Sequence, residues 1–390
     1  MPNLITLTGP SGCGKSEIMK IMVQVNPRCK ILPKFTTRPR RKDDDESIII
    51  VDEIPPECDY VYEQYGEKYG ISSRMLLQYL QEGYIPTLIV NDAKTIEKLQ
   101  RKFGISMKSY FIHREKPSRE KLIEIFNKTR GIPNPKDIEE RYEVAKQIYT
   151  MYTDNIGLFD NIILNTAEGF EEVTNIVKQL FDTSSTQRRL SGISANKIFV
   201  IAGSPGFGKK ILIQGANRVG VLQIQKHADR DRNPSDGPEI IFKDDPRYHL
   251  KDCKLQYKNF GNNYGIDVLP IWQNLIMTDK NQMLTCSKVE TLRDLKAIFG
   301  EAIISIYVHS EMNIEEYIKA EQQKGSSMEY IQNRANEYYT AHQNYVEHFT
   351  EYDKSFIYTG SERELMMQLA GVMGYSNQKV NQSMKGVARG

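Results

Sequence analysis

One block of this chain occurs twice. Tyr62-Glu63-Gln64-Tyr65-Gly66-Glu67-Lys68-Tyr69-Gly70-Ile71 recurs as Tyr257-Lys258-Asn259-Phe260-Gly261-Asn262-Asn263-Tyr264-Gly265-Ile266. Further blocks repeat in the same order: Gly9–Ser16 with Gly203–Lys210, Thr95–Gly104 with Thr291–Gly300, Ser109–His113 with Ser305–His309, and Phe159-Asp160 with Tyr352-Asp353. The separation stays between 193 and 196 residues throughout. That period is far longer than any solenoid repeat, so it means two tandem copies of a whole domain. The length of 390 residues agrees, because single cores stop growing at roughly 250–300 residues. We read residues 1–182 as one domain, 183–195 as a polar linker, 196–375 as a diverged second domain and 376–390 as a flexible tail.

Within each copy short apolar runs alternate with helical periodicity. Leu4–Leu7, Thr87–Val90, Tyr110–Ile112, Asn161–Leu164 and Phe199–Ile201 read as buried strands; Lys15–Met22, Leu76–Leu80 and Ala93–Lys102 read as helices. The fold class expected is α/β: two tandem P-loop domains, each a mainly parallel sheet wrapped by helices. No run approaches the ~20 apolar residues of a membrane span, and no signal peptide is expected at the start. The five cysteines contain no CxxC pair, so neither a disulfide framework nor a zinc site is expected and a cytoplasmic location is the default. A net charge of +2 gives no general attraction to nucleic acid.

Gly9-Pro10-Ser11-Gly12-Cys13-Gly14-Lys15-Ser16 is GxxxxGKS between an expected strand and an expected helix. Its glycines let successive N–H groups turn toward phosphate oxygens. Lys15 would reach the β/γ-phosphates of ATP, and Ser16 would place its hydroxyl on Mg²⁺. The second copy, Gly203-Ser204-Pro205-Gly206-Phe207-Gly208-Lys209-Lys210, keeps Gly203, Gly206, Gly208 and Lys209 but puts Lys210 at the metal position. An ammonium cannot ligate Mg²⁺. Phosphate binding without metal and a purely structural loop both stay open there.

Thr36-Thr37-Arg38-Pro39-Arg40-Arg41 follows the first loop. Clustered guanidinium groups beside hydroxyls suit a phosphate monoester. The acidic run Asp43–Glu46 reads as a solvated loop.

Here the chain resembles the guanylate kinase family. The resemblance implies that Thr37, Arg38, Arg41, Tyr69 and Ser72 bind the acceptor monophosphate. It implies that Arg130 and Arg141, eleven residues apart, are lid arginines acting with Lys15 in phosphoryl transfer. Asn165 falls at the adenine side of the ATP site, joining Gly9, Ser11, Gly12, Cys13, Gly14, Lys15 and Ser16. ATP and Mg²⁺ are the implied cofactors. Two departures concern the acceptor: Tyr60 stands where the family reads guanine with a glutamate, and Asn91-Asp92 replaces its Asp-x-Asp. In these respects the chain is also similar to ribose 1,5-bisphosphate phosphokinases. In the second copy Asp229 and Asp231 flank Arg230, where adjacent carboxylates would compete for the guanidinium, while Lys324-Gly325 and Arg334 correspond to the lid and Tyr358 replaces Asn165.

The expectation is therefore an Mg-ATP-dependent phosphotransferase acting on a nucleoside monophosphate or similar phosphate monoester, with a pseudokinase-like second lobe. A non-catalytic binding module and a sugar-phosphate kinase are the alternatives. Phosphoryl transfer to a phosphate needs positioning and charge neutralisation rather than a catalytic histidine, and the six histidines show no metal spacing. The second domain is open to a protein partner and the chain to self-association; neither membrane nor nucleic acid is expected as a partner.

Overall fold

The computed structural model describes residues 2–40, 44–64, 66–114, 135–165, 170–182, 196–204, 206, 208–232, 236–259, 261–310 and 314–374. The chain divides into two compact units, Met1–Arg189 and Leu190–Gly390. The linker 183–195 and the tail 376–390 lie outside the described residues.

In the first unit, β1 (Leu4–Thr8) is buried at every residue, as a strand covered on both faces requires. It is the centre of a five-stranded parallel sheet with β2 (Cys29–Ile31), β7 (Ile85–Ile89), β8 (Met107–His113) and β9 (Asn161–Leu164), in the order β2-β7-β1-β8-β9. Leu7 is in register with Ile89 on one side and Tyr110 on the other. The order reverses direction at β1, which opens a crevice at its carboxyl end, where open α/β sheets bind ligands. Helices follow the strands with ordinary end signals. Asp92 caps the helix Ala93–Phe103 by accepting from Thr95 N at 2.7 Å, and Gly104 ends it at φ 62°.

A smaller sheet holds the strand that leads to Thr37 and Arg38. β3 (Lys34–Thr36), β4 (Ile48–Ile50), β5 (Cys58–Gln64) and β6 (Glu67–Ser72) run in the order β4-β3-β6-β5. β5 alternates buried and exposed residues, so Tyr60 and Tyr62 face inward while Asp59 and Glu63 face out.

The second unit repeats both sheets. β10 (Ile198–Gly203), β11 (Leu222–Gln223), β16 (Gln282–Thr285), β17 (Ile303–Ser310) and β18 (Lys354–Tyr358) stand in the order β11-β16-β10-β17-β18. β12 (Lys226–Ala228), β13 (Ile240–Ile241), β14 (Leu255–Asn259) and β15 (Asn262–Ile266) form β13-β12-β15-β14. The small repeated block has a physical reason. Asp160 is buried and accepts from Ser109 N at 2.8 Å and Lys108 Nζ at 2.9 Å, locking β9 to β8. Asp353 accepts from Ser305 N at 2.8 Å and its Oγ at 2.7 Å, locking β18 to β17. The aromatic residue before each aspartate is buried, Phe159 at 5.0 Å from Tyr152 and Tyr352 at 5.2 Å from Tyr307. Tyr345, on the helix Met328–Glu347, and Phe349 just beyond it pack in the same core. Among the described residues no helix is long and apolar enough to cross a membrane.

Candidate active site

The phosphate loop leaves the end of β1 and runs into the helix Lys15–Val25. Gly12 and Gly14 take φ 81° and 89°, a region side chains rarely enter. Lys15 folds over the loop, its Nζ donating to the carbonyls of Gly9 at 2.8 Å and Pro10 at 2.7 Å, with Cys13 Sγ at 3.7 Å. Ser16 is exposed in the first turn of the helix, where its hydroxyl suits a hard cation. Cys13 is buried, and that burial raises its thiol pKa against the opposing pull of Lys15. The thiol therefore stays protonated rather than reactive.

Each neighbouring strand sends one polar group to this loop. Beyond β7, Asn91 Oδ1 accepts from Gly9 N at 3.1 Å. Beyond β8, Arg114 Nη1 donates to Gly12 O at 3.1 Å. Beyond β9, Asn165 Nδ2 donates to Cys13 O at 2.8 Å. Asn165, expected from the sequence at the adenine side of an ATP site, thus secures the loop. Arg114 was not singled out from sequence; the signal was a lone cation directly after an apolar strand.

Beside the smaller sheet, Arg38 is nearly fully buried and grips Asp44 bidentately, Nη1 on Oδ2 at 2.8 Å and Nη2 on Oδ1. The acidic run is therefore not wholly solvated: the carboxylate of Asp44 is only 5% exposed. Thr37 Oγ1 donates to Glu67 Oε2 at 3.1 Å and accepts from Lys68 N at 3.0 Å. Tyr69 stacks on Tyr62 at 5.4 Å, with Lys34 Nζ 5.1 Å from its ring. Ser72 caps the helix Ser73–Gln81, accepting from Met75 N at 3.3 Å. Asn91 Nδ2 meets Gln64 Oε1 at 3.5 Å, so one amide touches both the Gly9–Gly14 loop and the smaller sheet. Asp59 is turned outward and accepts from Ser73 N at 3.1 Å. Arg41 and Arg130 lie outside the described residues; Arg141 falls on the helix Pro135–Asp154.

Guanylate kinase of Streptomyces kasugaensis is 27% identical to the chain over 200 residues, an alignment spanning 49% of this chain and 92% of that protein. The fold is guanylate kinase-like. Among solved structures, guanylate kinase from Anaplasma phagocytophilum is 17% identical, with a TM-score of 0.32 over 46% of this chain and 84% of that one. No protein-family description matches the chain.

The second unit keeps the loop's outline with a different interior. Lys209 Nζ donates to the carbonyls of Gly203 and Ser204, the latter at 2.7 Å. Burial pushes its pKa down to about 7, with Lys226 and Arg334 adding repulsion that Glu337 partly offsets. Aromatic rings crowd the glycines: a Cβ on Gly208 would lie 2.8 Å from Tyr358, and one on Gly206 3.0 Å from Tyr317. Arg334 pairs with Glu337 at 2.7 Å and lies 5.1 Å from the Tyr330 ring, and Lys324 pairs with Glu321 at 2.7 Å. Arg230 is gripped by Asp236 through Nη1 at 2.7 Å and Nη2 at 2.6 Å, six residues on, as Arg38 is by Asp44. This corrects the expected competition from the flanking acids. Asp229 faces β15 and accepts from Asn263 N at 2.7 Å, and Asp231 offers Arg230 only its carbonyl, at 2.8 Å.

Proposed function

We propose that the first unit transfers the γ-phosphoryl group of ATP to a nucleoside monophosphate or similar phosphate monoester, and that the second unit is a pseudokinase-like lobe. The observation that carries this reading is the convergence on one loop: Lys15, Asn91, Arg114 and Asn165 all bond the Gly9–Gly14 backbone, and Asn91 also reaches the sheet that holds Arg38 and Tyr69. Lys15 would exchange its two carbonyl partners for phosphate oxygens. Arg114, already at the loop, would add charge neutralisation, and Arg38, Arg41 and Tyr69 would orient the acceptor phosphate. A phosphate monoester is largely dianionic at neutral pH, with a second pKa near ~6, so positioning and charge compensation supply most of the catalysis. Ser16 fits Mg²⁺, and the bound ion would neutralise charge on the β- and γ-oxygens. Arg130 and Arg141 are the proposed lid pair.

Three features support a non-catalytic second lobe: Lys210 in place of the metal-binding hydroxyl, Tyr358 and Tyr317 against the loop glycines, and a Lys209 ammonium close to neutralisation. On the acceptor side, the inward face of β5 presents Tyr60 and Tyr62 rather than a carboxylate. A site lacking the polar partner of a purine edge discriminates poorly for it, which favours a sugar phosphate as the second reading of the acceptor.

The test is labelled ATP with Mg²⁺ against nucleoside monophosphates, pentose phosphates and nucleic-acid ends. Transfer to one of the small monoesters is expected. Absence of transfer to every acceptor would overturn the enzymatic reading.

A further inference from the structure

We propose that His227, His249 and Cys253 form a zinc site in the second unit. Their ligand atoms lie within 4.8 Å of one another. His227 sits on β12, His249 precedes a short 3-10 turn at Leu250–Asp252, and Cys253 follows that turn. His227 and Cys253 are buried and His249 is part-exposed, which leaves a path for an ion to enter.

The hydrogen bonds leave the correct atoms for a metal. His249 Nδ1 lies 2.7 Å from the Arg247 carbonyl, so this nitrogen carries the proton and Nε2 keeps its lone pair. A backbone carbonyl on the distal nitrogen is the usual orienting partner of a metal-bound histidine. Nε2 in turn lies 3.4 Å from Asp267 Oδ2. Two ligands each about 2.0–2.1 Å from one tetrahedral zinc are themselves about 3.3 Å apart, so the 3.4 Å separation suits Asp267 as a further ligand beside His249. His227 Nδ1 receives only a long 3.3 Å contact from the backbone N–H of His249. The metal would replace that contact, and Cys253 would bind as thiolate with its proton passing to solvent.

The first unit shows what this cluster replaces. Phe35 is in register with Gly70, and His227 is in register with Gly265. Cys58 lies against Gly70 and Cys253 against Gly265, each within 3.0 Å of the glycine's Cβ position. Ser72 caps the helix after β6 and Asp267 the helix Val268–Met277 after β15. Where the first unit packs Phe35 and Ile54 about this glycine, the second has gathered two imidazoles and a carboxylate beside the thiol. Polar groups introduced into a packed interior are costly unless partnered, and nitrogen–sulfur donors select zinc over Mg²⁺ or Ca²⁺. The metal would tie β12, which leads to Arg230, to the turn before β14.

The experiment strips the full-length protein with a chelator and titrates it with Co²⁺. A thiolate-to-cobalt charge-transfer band with tetrahedral d–d bands, saturating at one ion per chain, is expected. Zn²⁺ should bleach the bands and Mg²⁺ should not. Cys253→Ser and His249→Ala should lose them, while Cys58→Ala in the first unit should retain them. Zinc should also raise the unfolding midpoint seen by Trp272, the chain's one tryptophan, on the helix that Asp267 caps. Absence of the thiolate band in the wild-type protein overturns the site, as do bands that survive Cys253→Ser. The wild-type spectrum decides even if a variant fails to fold.

Discussion

Gly14→Ala perturbs the proposed ATP site at a point where its cost can be worked from two separate causes. The residue holds φ 89°, a conformation that costs an L-residue about 1–2 kcal/mol. Its new Cβ would also lie 2.2 Å from Asn165 Nδ2, so the 2.8 Å bond from Asn165 to Cys13 O must break. A lost hydrogen bond of this kind is worth about 0.5–1.5 kcal/mol. The sum of about 1.5–3.5 kcal/mol corresponds to roughly a 10- to 400-fold weaker apparent affinity for ATP, because the loop's binding-competent shape becomes the minor one. Gly12→Ala separates the causes: φ is 81° there but nothing lies within 4 Å of the added carbon, so only the conformational part should appear. Adding Asn165→Ala to Gly14→Ala should cost little more than Gly14→Ala alone, because the bond to Cys13 O is already lost. Calorimetric titration with ATP reads all four proteins. Wild-type affinity in Gly14→Ala, or equal losses in Gly12→Ala and Gly14→Ala, would refute the reasoning.

The Arg38–Asp44 pair is buried on both sides, so Asp44→Ala should destabilise the first unit by about 3–5 kcal/mol through a stranded guanidinium. Arg38→Met with Asp44→Leu should cost less than Asp44→Ala alone, read by circular dichroism in denaturant; the opposite order would sink the argument. Lys209 should titrate near pH 7 by nuclear magnetic resonance of its ε-carbon, and a value near the ordinary ~10.4 would refute its burial. The sign for stability is that of a depressed base. Between the folded pKa of about 7 and the unfolded value the unfolded chain binds the extra proton, so stability rises with pH across that window. The penalty is full below pH about 7, and Lys209→Met should remove the slope in Trp272-monitored unfolding.

The central sheet was legible because its strands are buried on both faces and write their burial directly into sequence, as Leu4–Thr8 does. The phosphate loop was legible because glycine and lysine at that spacing answer one steric demand. Long-range pairings were not. Asp44 sits in an acidic run whose composition suggests solvent, yet the fold turns one of its carboxylates onto Arg38. Asp229 adjoins Arg230 in sequence but faces a different strand, so proximity along the chain misjudged the competitor. His249 and Cys253 stand four residues apart, but His227 joins them only through strand pairing, so the interval alone could not complete the set. Asn165 was placed at the correct strand end, and only the loop's curvature brings its amide to Cys13 O.

The central claim, that the first phosphate loop does the chemistry and the second does not, is tested most directly by comparing phosphoryl transfer in Lys15→Ala and Lys209→Ala full-length proteins under saturating Mg-ATP. Lys15→Ala should lose transfer while Lys209→Ala keeps it. Transfer that survives Lys15→Ala, or disappears in a folded Lys209→Ala, would contradict it.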